Sequence, residues 1–229
     1  MIAENLRNIR LQIRSICDRA GRNPEEIDII AVTKTVEIDK ILEAYNAGQR
    51  DFGENYVKEL RQKQEKITPA DIRWHFIGHL QTNKVKTLID SVSLIHSVDS
   101  FHLAEEIEQQ AIKRNRHVDI LIEVHTTDEA TKTGITPDSV FTLVEQISSL
   151  YHVHITGLMT IGPFLPDRET ARPCFRQLRQ LKDEIEIRRF PGVHIRHLSM
   201  GMTNDFEVAI EEGATLLRIG TAIFGQRQP

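Results

Sequence analysis

Lys34 closes the apolar run Ile29, Ile30, Ala31, Val32, and strand alternation puts it on one face with Ile30 and Val32. A lysine held in apolar surroundings loses part of its preference for the charged form, and its amine can then attack an aldehyde to form an imine. The competing reading is a side chain that snorkels from a strand end into water. Arg218 is the second unusual position, a permanent cation inside the apolar stretch TLLRIG, on the face of Leu216 and Gly220. Burying such a charge alone is costly, so it requires a carboxylate, a group of carbonyls or a ligand. An ion pair with an acid of another strand and contact with an anionic ligand are both open.

Two glycine-bearing turns lie near the end of the chain, Ser199 to Asn204 and Gly220 to Gly225. Glycine lets the backbone approach an anion closely, and hydroxyls add donors. Neither turn is a GxGxxG or Walker loop, so their joint placement carries more weight than either alone. His79 and Asn55 stand just beyond apolar runs and read as binding groups or as caps. The ten histidines form no HExxH or other metal spacing, and those inside strand text read as satisfied core residues. There is no GxSxG elbow, and Glu54 is the one tempting acid at a strand end.

These residues need elements to hold them. Short β-branched runs occur at 28–34, 51–53, 72–77, 93–97, 118–125, 153–159, 194–199 and 215–219. Helical patterns separate most of them, clearest at 101–114 and 137–149, with a long charged helix over 168–187 that carries Pro173 early. An amphipathic helix over 2–19 (Ile2, Leu6, Ile9, Ile13, Ile16) precedes the first strand. Eight strand and helix alternations in about 200 residues predict an α/β fold, a (β/α)₈ TIM barrel with an extra N-terminal helix. An open doubly wound sheet is the runner-up, and the runs at 51 and 93 compete with loop. No Pro/Ser/Gly linker interrupts the series, so residues 1–229 read as one domain. In a barrel the strand C-termini carry the site, which is where Lys34, Asn55, Arg218 and both glycine turns fall.

The composition narrows the function classes. With 29 basic and 33 acidic residues the formal charge is −4, which gives no electrostatic case for nucleic acid. Cys17 and Cys174 are far apart and in no ligand ladder, which fits a reducing compartment and excludes a disulfide framework. No run of about 18 apolar residues argues for a membrane span, and the N-terminus lacks a signal-peptide core. The expected location is the cytoplasm.

The segments AVTKT (31–35), FGENYVKE (52–59), WHFIGHLQTNK (74–84), GLMTIG (157–162) and LSMGMTNDFEVAIEEGATLLRIGTAIFG (198–225), with TKTGI (131–135) more loosely, resemble the pyridoxal 5′-phosphate homeostasis protein family. The resemblance implies the barrel domain of alanine racemase, the type III fold of pyridoxal phosphate enzymes, without the racemase's C-terminal β domain. It implies that Lys34 bonds covalently to the cofactor aldehyde, that Arg218 faces the pyridine nitrogen, that Ser199, Gly220 and Thr221 bind the phosphate, and that Asn55 and Met159 line the ring. Thr33, Thr82 and Thr203 stand where the family often carries other residues, Ser at the first and third; all three are hydroxyl-bearing. An arginine at the ring nitrogen disfavours its protonation and makes the ring a poor sink for carbanion charge. The chain ends four residues after Gly225, which leaves no length for a domain to close over the cofactor. The expectation is a non-catalytic, monomeric carrier of pyridoxal phosphate that supplies apo-enzymes and affects amino-acid and keto-acid balance. An amino-acid racemase and a cofactor-free Schiff-base aldolase are the rival readings.

Overall fold

Eight parallel strands close into a barrel in the computed structural model, which describes residues 1–127 and 133–226. Thr131 and Lys132 of the TKTGI segment lie outside the described residues. The strands are β1 (Asp28–Val32), β2 (Asp51–Glu54), β3 (Arg73–Phe76), β4 (Leu94–Val98), β5 (Val118–Glu123), β6 (Val153–Met159), β7 (His197–Ser199) and β8 (Leu216–Ile219). Each pairs with the next, and β8 pairs with β1 with Ile30 opposite Arg218, which closes the ring and overturns the open-sheet alternative. Both contested runs, at 51 and 93, are strands.

Helices α1 (Ile2–Ala20), α2 (Ile38–Asn46), α3 (Val57–Gln64), α4 (Thr82–Leu88), α5 (Phe101–Ile112), α6 (Val140–Ser148), α7 (Arg172–Arg188), α8 (Phe206–Glu211) and α9 (Thr221–Phe224) accompany the strands. The apolar stripe of α1 is buried at Ile2, Leu6, Ile9, Ile13 and Ile16, as its spacing predicts. The long helix predicted over 168–187 begins instead as a 3-10 turn, Arg168–Ala171. Pro173 falls in the first turn of α7, where its missing N–H costs nothing.

Strand alternation divides the apolar residues into two clusters. Ile29, Ala31, Phe52, Phe76, Ile95, Leu158, Leu198, Leu217 and Ile219 face the helices in the large outer core. Ile30, Leu94, Leu121, Met159 and Leu216 form a small separate cluster inside the barrel. The rest of the lumen is polar, with buried Asp51, His75, His96, Glu123, Ser199 and Arg218 on the inward phase of their strands.

Strand β1 ends two residues before the sequence pattern suggests. After Val32 the chain turns through Thr33, Lys34 and Thr35, with the Val36 N–H donating to the Thr33 carbonyl at 2.9 Å. Thr35 takes a left-handed backbone, φ 61°, and its N–H donates to Glu59 Oε1 at 2.6 Å. A β-branched residue in that region is strained, so the surrounding bonds must hold it there.

Candidate functional site

The turn that carries Lys34 is fixed by buried polar groups behind it. The Thr33 hydroxyl donates to Glu54 Oε1 at 2.5 Å, and Lys63 Nζ donates to the Thr33 carbonyl (2.6 Å), to Glu54 (2.7 Å) and to Glu59 (2.7 Å). Lys63 and Glu54 are both buried, and burial pushes the Glu54 carboxyl up while hydrogen bonds and charge from Lys63 oppose it. Glu54, the acid noted in the sequence, thus belongs to the scaffold of the turn. Lys63 escaped the sequence reading, and its i,i+4 spacing from Glu59 on α3 is the signal that marks the pair.

Lys34, half-buried, opens onto a cavity of about 440 Å³ at the C-terminal ends of the strands. Asn55, Arg218, Gly220 and Thr221 stand on the same wall, with Val32, Ile77 and Ile161 as apolar lining. Five of the seven expected site residues are therefore brought together. Asn55 Oδ1 is buried without a hydrogen-bond partner among the described residues, an acceptor left to a ligand. Its position depends on Gly78, where an added Cβ would come within 2.3 Å of the Asn55 carbonyl oxygen. Gly78→Ala is expected to push Asn55 from the wall and lower stability by about 1–3 kcal/mol, as overpacking does, measured by chemical denaturation.

Arg218 is 5% exposed. Its guanidinium donates to Ser199 Oγ at 2.5 Å and to the Thr160 carbonyl at 2.7 Å. Among the described residues no carboxylate forms an ion pair with it; Glu123 and Asp205 act only from farther off. Burial draws its pKa down to about 10, so it stays cationic at neutral pH. Of the two sequence readings, the partner acid is not present, and an anion-facing or ring-facing cation remains.

Ser199 and Met159 are fully buried and do not line the cavity. The register explains both departures. Met159 pairs with Ser199, and Ser199 pairs with Leu216, so the two lie level with a residue two positions before Arg218, one layer deeper in the lumen. Ser199 reaches the site only through Arg218, while Ile161 takes the lining place expected of Met159.

The two glycine turns meet at the cavity. Thr221 Oγ1 donates to Thr203 Oγ1 at 3.1 Å, and the Ala222 N–H donates to the same oxygen at 3.4 Å. Thr203 and Asn204 join Gly220 and Thr221 on the wall. Gly201 sets the first of these turns against α8: it has φ 91°, and a Cβ there would lie 2.5 Å from that of Ala209. His79 borders an adjoining groove with Lys84, and its exposed ring is 3.9 Å from Asp99.

The comparisons with known proteins accord with this geometry. A family model for the alanine racemase N-terminal domain matches residues 5–228. The chain is 48% identical over 225 residues to a pyridoxal phosphate homeostasis protein of Aquifex aeolicus, covering 98% of both chains. It is 38% identical over 230 residues to the Escherichia coli protein of the same name, covering 99% of this chain and 97% of that one. Among solved structures, PipY of Synechococcus elongatus with PLP bound has a TM-score of 0.87 at 35% identity, over 98% of this chain and 100% of that one. An alanine racemase of Clostridium difficile shares the fold, with a TM-score of 0.74 at 14% identity over 100% of this chain and 57% of that chain.

Proposed function

Because this chain belongs to the pyridoxal phosphate homeostasis protein family, we propose that it binds pyridoxal 5′-phosphate in the cavity below Lys34 and holds it reversibly, as a carrier and not a catalyst. The observation that carries this reading is the convergence of Lys34, Asn55, Arg218, Gly220 and Thr221 on one wall, with the Asn55 oxygen unpartnered and Arg218 buried without a carboxylate. The residues fit the group. When bound, the cofactor supplies an aldehyde that condenses with the Lys34 amine, with loss of water.

The chain's own residues do the rest. Glu54, Lys63 and Glu59 keep the Lys34 turn in place. Arg218 meets the ring nitrogen and keeps it unprotonated, which withholds the electron sink that racemisation and decarboxylation need. Gly220 and Thr221, with Thr203 beside them, receive the phosphate. Ser199, assigned to that group by resemblance, steadies Arg218 instead, and Met159 packs below the ring layer. We read residues 1–229 as one cofactor-binding unit that acts as a cytoplasmic monomer and passes its cargo to apo-enzymes. Among the described residues no helix is long and apolar enough to cross a membrane.

The test is an absorbance spectrum of the purified protein before and after borohydride, followed by peptide mapping. A visible band that reduction converts to a pyridoxyl group on Lys34 supports the reading, and its absence from protein loaded with pyridoxal phosphate would exclude it. Formation of D-isomers from single L-amino acids would favour the racemase alternative. Arg218→Glu is expected to change the pH dependence of that band, because a carboxylate at the ring nitrogen favours the protonated ring. A folded variant with an unchanged titration would remove Arg218 from the ring.

A further inference from the structure

Five polar groups form an unbroken hydrogen-bonded line through the barrel interior. Asp51 opens β2 at the end opposite the cavity, and its Oδ1 lies 3.0 Å from His75 Nε2. His75 Nδ1 is 3.0 Å from His96 Nε2, and His96 Nδ1 is 2.9 Å from Ser199 Oγ, which accepts from Arg218. All five side chains are buried. Barrels commonly fill this space with Val, Ile and Leu, and a half-satisfied polar line here would be worse than an apolar one. None of the proposed cofactor contacts requires Asp51, His75 or His96.

The partners fix the direction of every bond. Burial raises the Asp51 carboxyl, but hydrogen bonds from His75 and Arg73 outweigh that and hold it below its ordinary range, so Asp51 is ionised and only accepts. His75 Nε2 must therefore carry a hydrogen. With His75 neutral, its Nδ1 accepts from His96 Nε2–H, and His96 Nδ1 accepts from the Ser199 hydroxyl. All hydrogens then point from Arg218 toward Asp51. A proton gained by His75 sits on Nδ1 and forces His96 to accept at Nε2 and donate from Nδ1 to Ser199. The two bonds between His75 and Ser199 reverse while Arg218 still donates to Ser199, so the Ser199 hydrogen must find another acceptor.

We propose that Asp51, His75, His96 and Ser199 are positioning residues that hold the Arg218 guanidinium at the cavity and couple its setting to the direction of the hydrogen bonds that start from Asp51 at the far end of the barrel. This rests on the pyridoxal phosphate reading for its consequence at the cofactor, though the line itself does not. The charged and titratable groups that face it are Asp28 of β1, Arg73 of β3 and His197 of β7 around the histidines, with Glu123 of β5 and Asp205 before α8 around Arg218. Burial keeps both His96 and His197 less basic than a free imidazole.

The experiment compares Asp51→Asn with Asp71→Asn, both loaded with pyridoxal phosphate. Asp71 is an exposed acid of the same end of the barrel, bonded to Tyr45 and Arg50 and outside the line. Asp51→Asn is expected to move the midpoint of the band's pH titration by about one pH unit, and Asp71→Asn to leave it where it is. Equal shifts in the two variants, or none in either, would overturn the proposal. Should Asp51→Asn fail to fold, His96→Asn replaces it in the same comparison. A second readout needs no cofactor: nitrogen NMR of ¹⁵N-histidine protein at neutral pH should find His75 and His96 both as Nε2–H tautomers. Nδ1–H on neutral His96 beside a neutral His75 would refute the line. If wild type forms no reducible adduct on Lys34, the cofactor reading fails while this tautomer result still judges the relay.

Discussion

Lys34→Ala is expected to abolish the borohydride-reducible adduct while leaving the barrel folded. The expectation follows from how the turn is built. Its shape is set by the Thr33 hydroxyl and carbonyl and by the Thr35 N–H, which meet Glu54, Lys63 and Glu59, and none of these bonds uses the Lys34 side chain. Lys34 itself is half-buried at the mouth of a cavity, so truncating it creates no enclosed void, and a stability change within about 1 kcal/mol is expected. The chemical consequence is total, because among the described residues no other amine lines this cavity. Lys84 borders the neighbouring groove, beyond Asn55. The variant should still bind pyridoxal phosphate loosely through the ring and phosphate contacts, with no trapped product. The check is mass spectrometry of reduced, digested protein alongside a thermal melt. A pyridoxyl group on Lys84 or Lys132 in wild type would move the reactive amine and sink this account.

Arg218 is legible in the sequence because it breaks an apolar strand pattern on its inward phase, which alternation carries into the barrel, and Lys34 is legible as the cation that follows an apolar run, although it sits in the turn beyond β1. Ser199 and Met159 have the right phase as well. What alternation does not encode is depth, since depth depends on the stagger between neighbouring strands, and that stagger sets both residues one layer below Arg218. The end of β1 departs from the sequence pattern for a different reason: Thr33 and Thr35 look like strand, and only the tertiary bonds to Glu54, Lys63 and Glu59 hold the left-handed turn at Thr35. His75 and His96 are satisfied core histidines, as their place in strand text suggests. Their joint line to Arg218 was invisible because strand pairing and closure of the barrel, and no local spacing, bring residues 51, 75, 96, 199 and 218 together. The scaffold pair Glu54 and Lys63 shows the same limit in milder form, since an acid at a strand end suggests catalysis until the lysine behind it is seen.

Pyridoxal, which lacks the phosphate, is expected to bind this protein two to four powers of ten more weakly than pyridoxal phosphate. Hydrogen bonds to a charged group contribute on the order of 1.5 to 3 kcal/mol each, and each 1.4 kcal/mol is a factor of ten in affinity, so losing two such bonds gives this range. The donors available are the Thr221 and Thr203 hydroxyls and the backbone N–H groups of the Gly220 turn, which the contact between the two loops gathers on one wall. The hydroxyls of Thr203 and Thr221 bond to each other at 3.1 Å, so they are held close together without a large ordering cost. Thr221→Ala removes one donor. It should weaken pyridoxal phosphate by about tenfold to a hundredfold and leave pyridoxal almost unchanged, because only the phosphorylated ligand has oxygens for that hydroxyl to reach. Equilibrium titration of both ligands against both proteins in low-phosphate buffer gives the four affinities needed. If Thr221→Ala weakened the two ligands equally, or if wild type bound them equally, the phosphate would have to lie elsewhere than the loops after β7 and β8. The ring could then not sit between Lys34 and Arg218 with its nitrogen at the guanidinium, since the phosphate fixes the direction in which the cofactor lies.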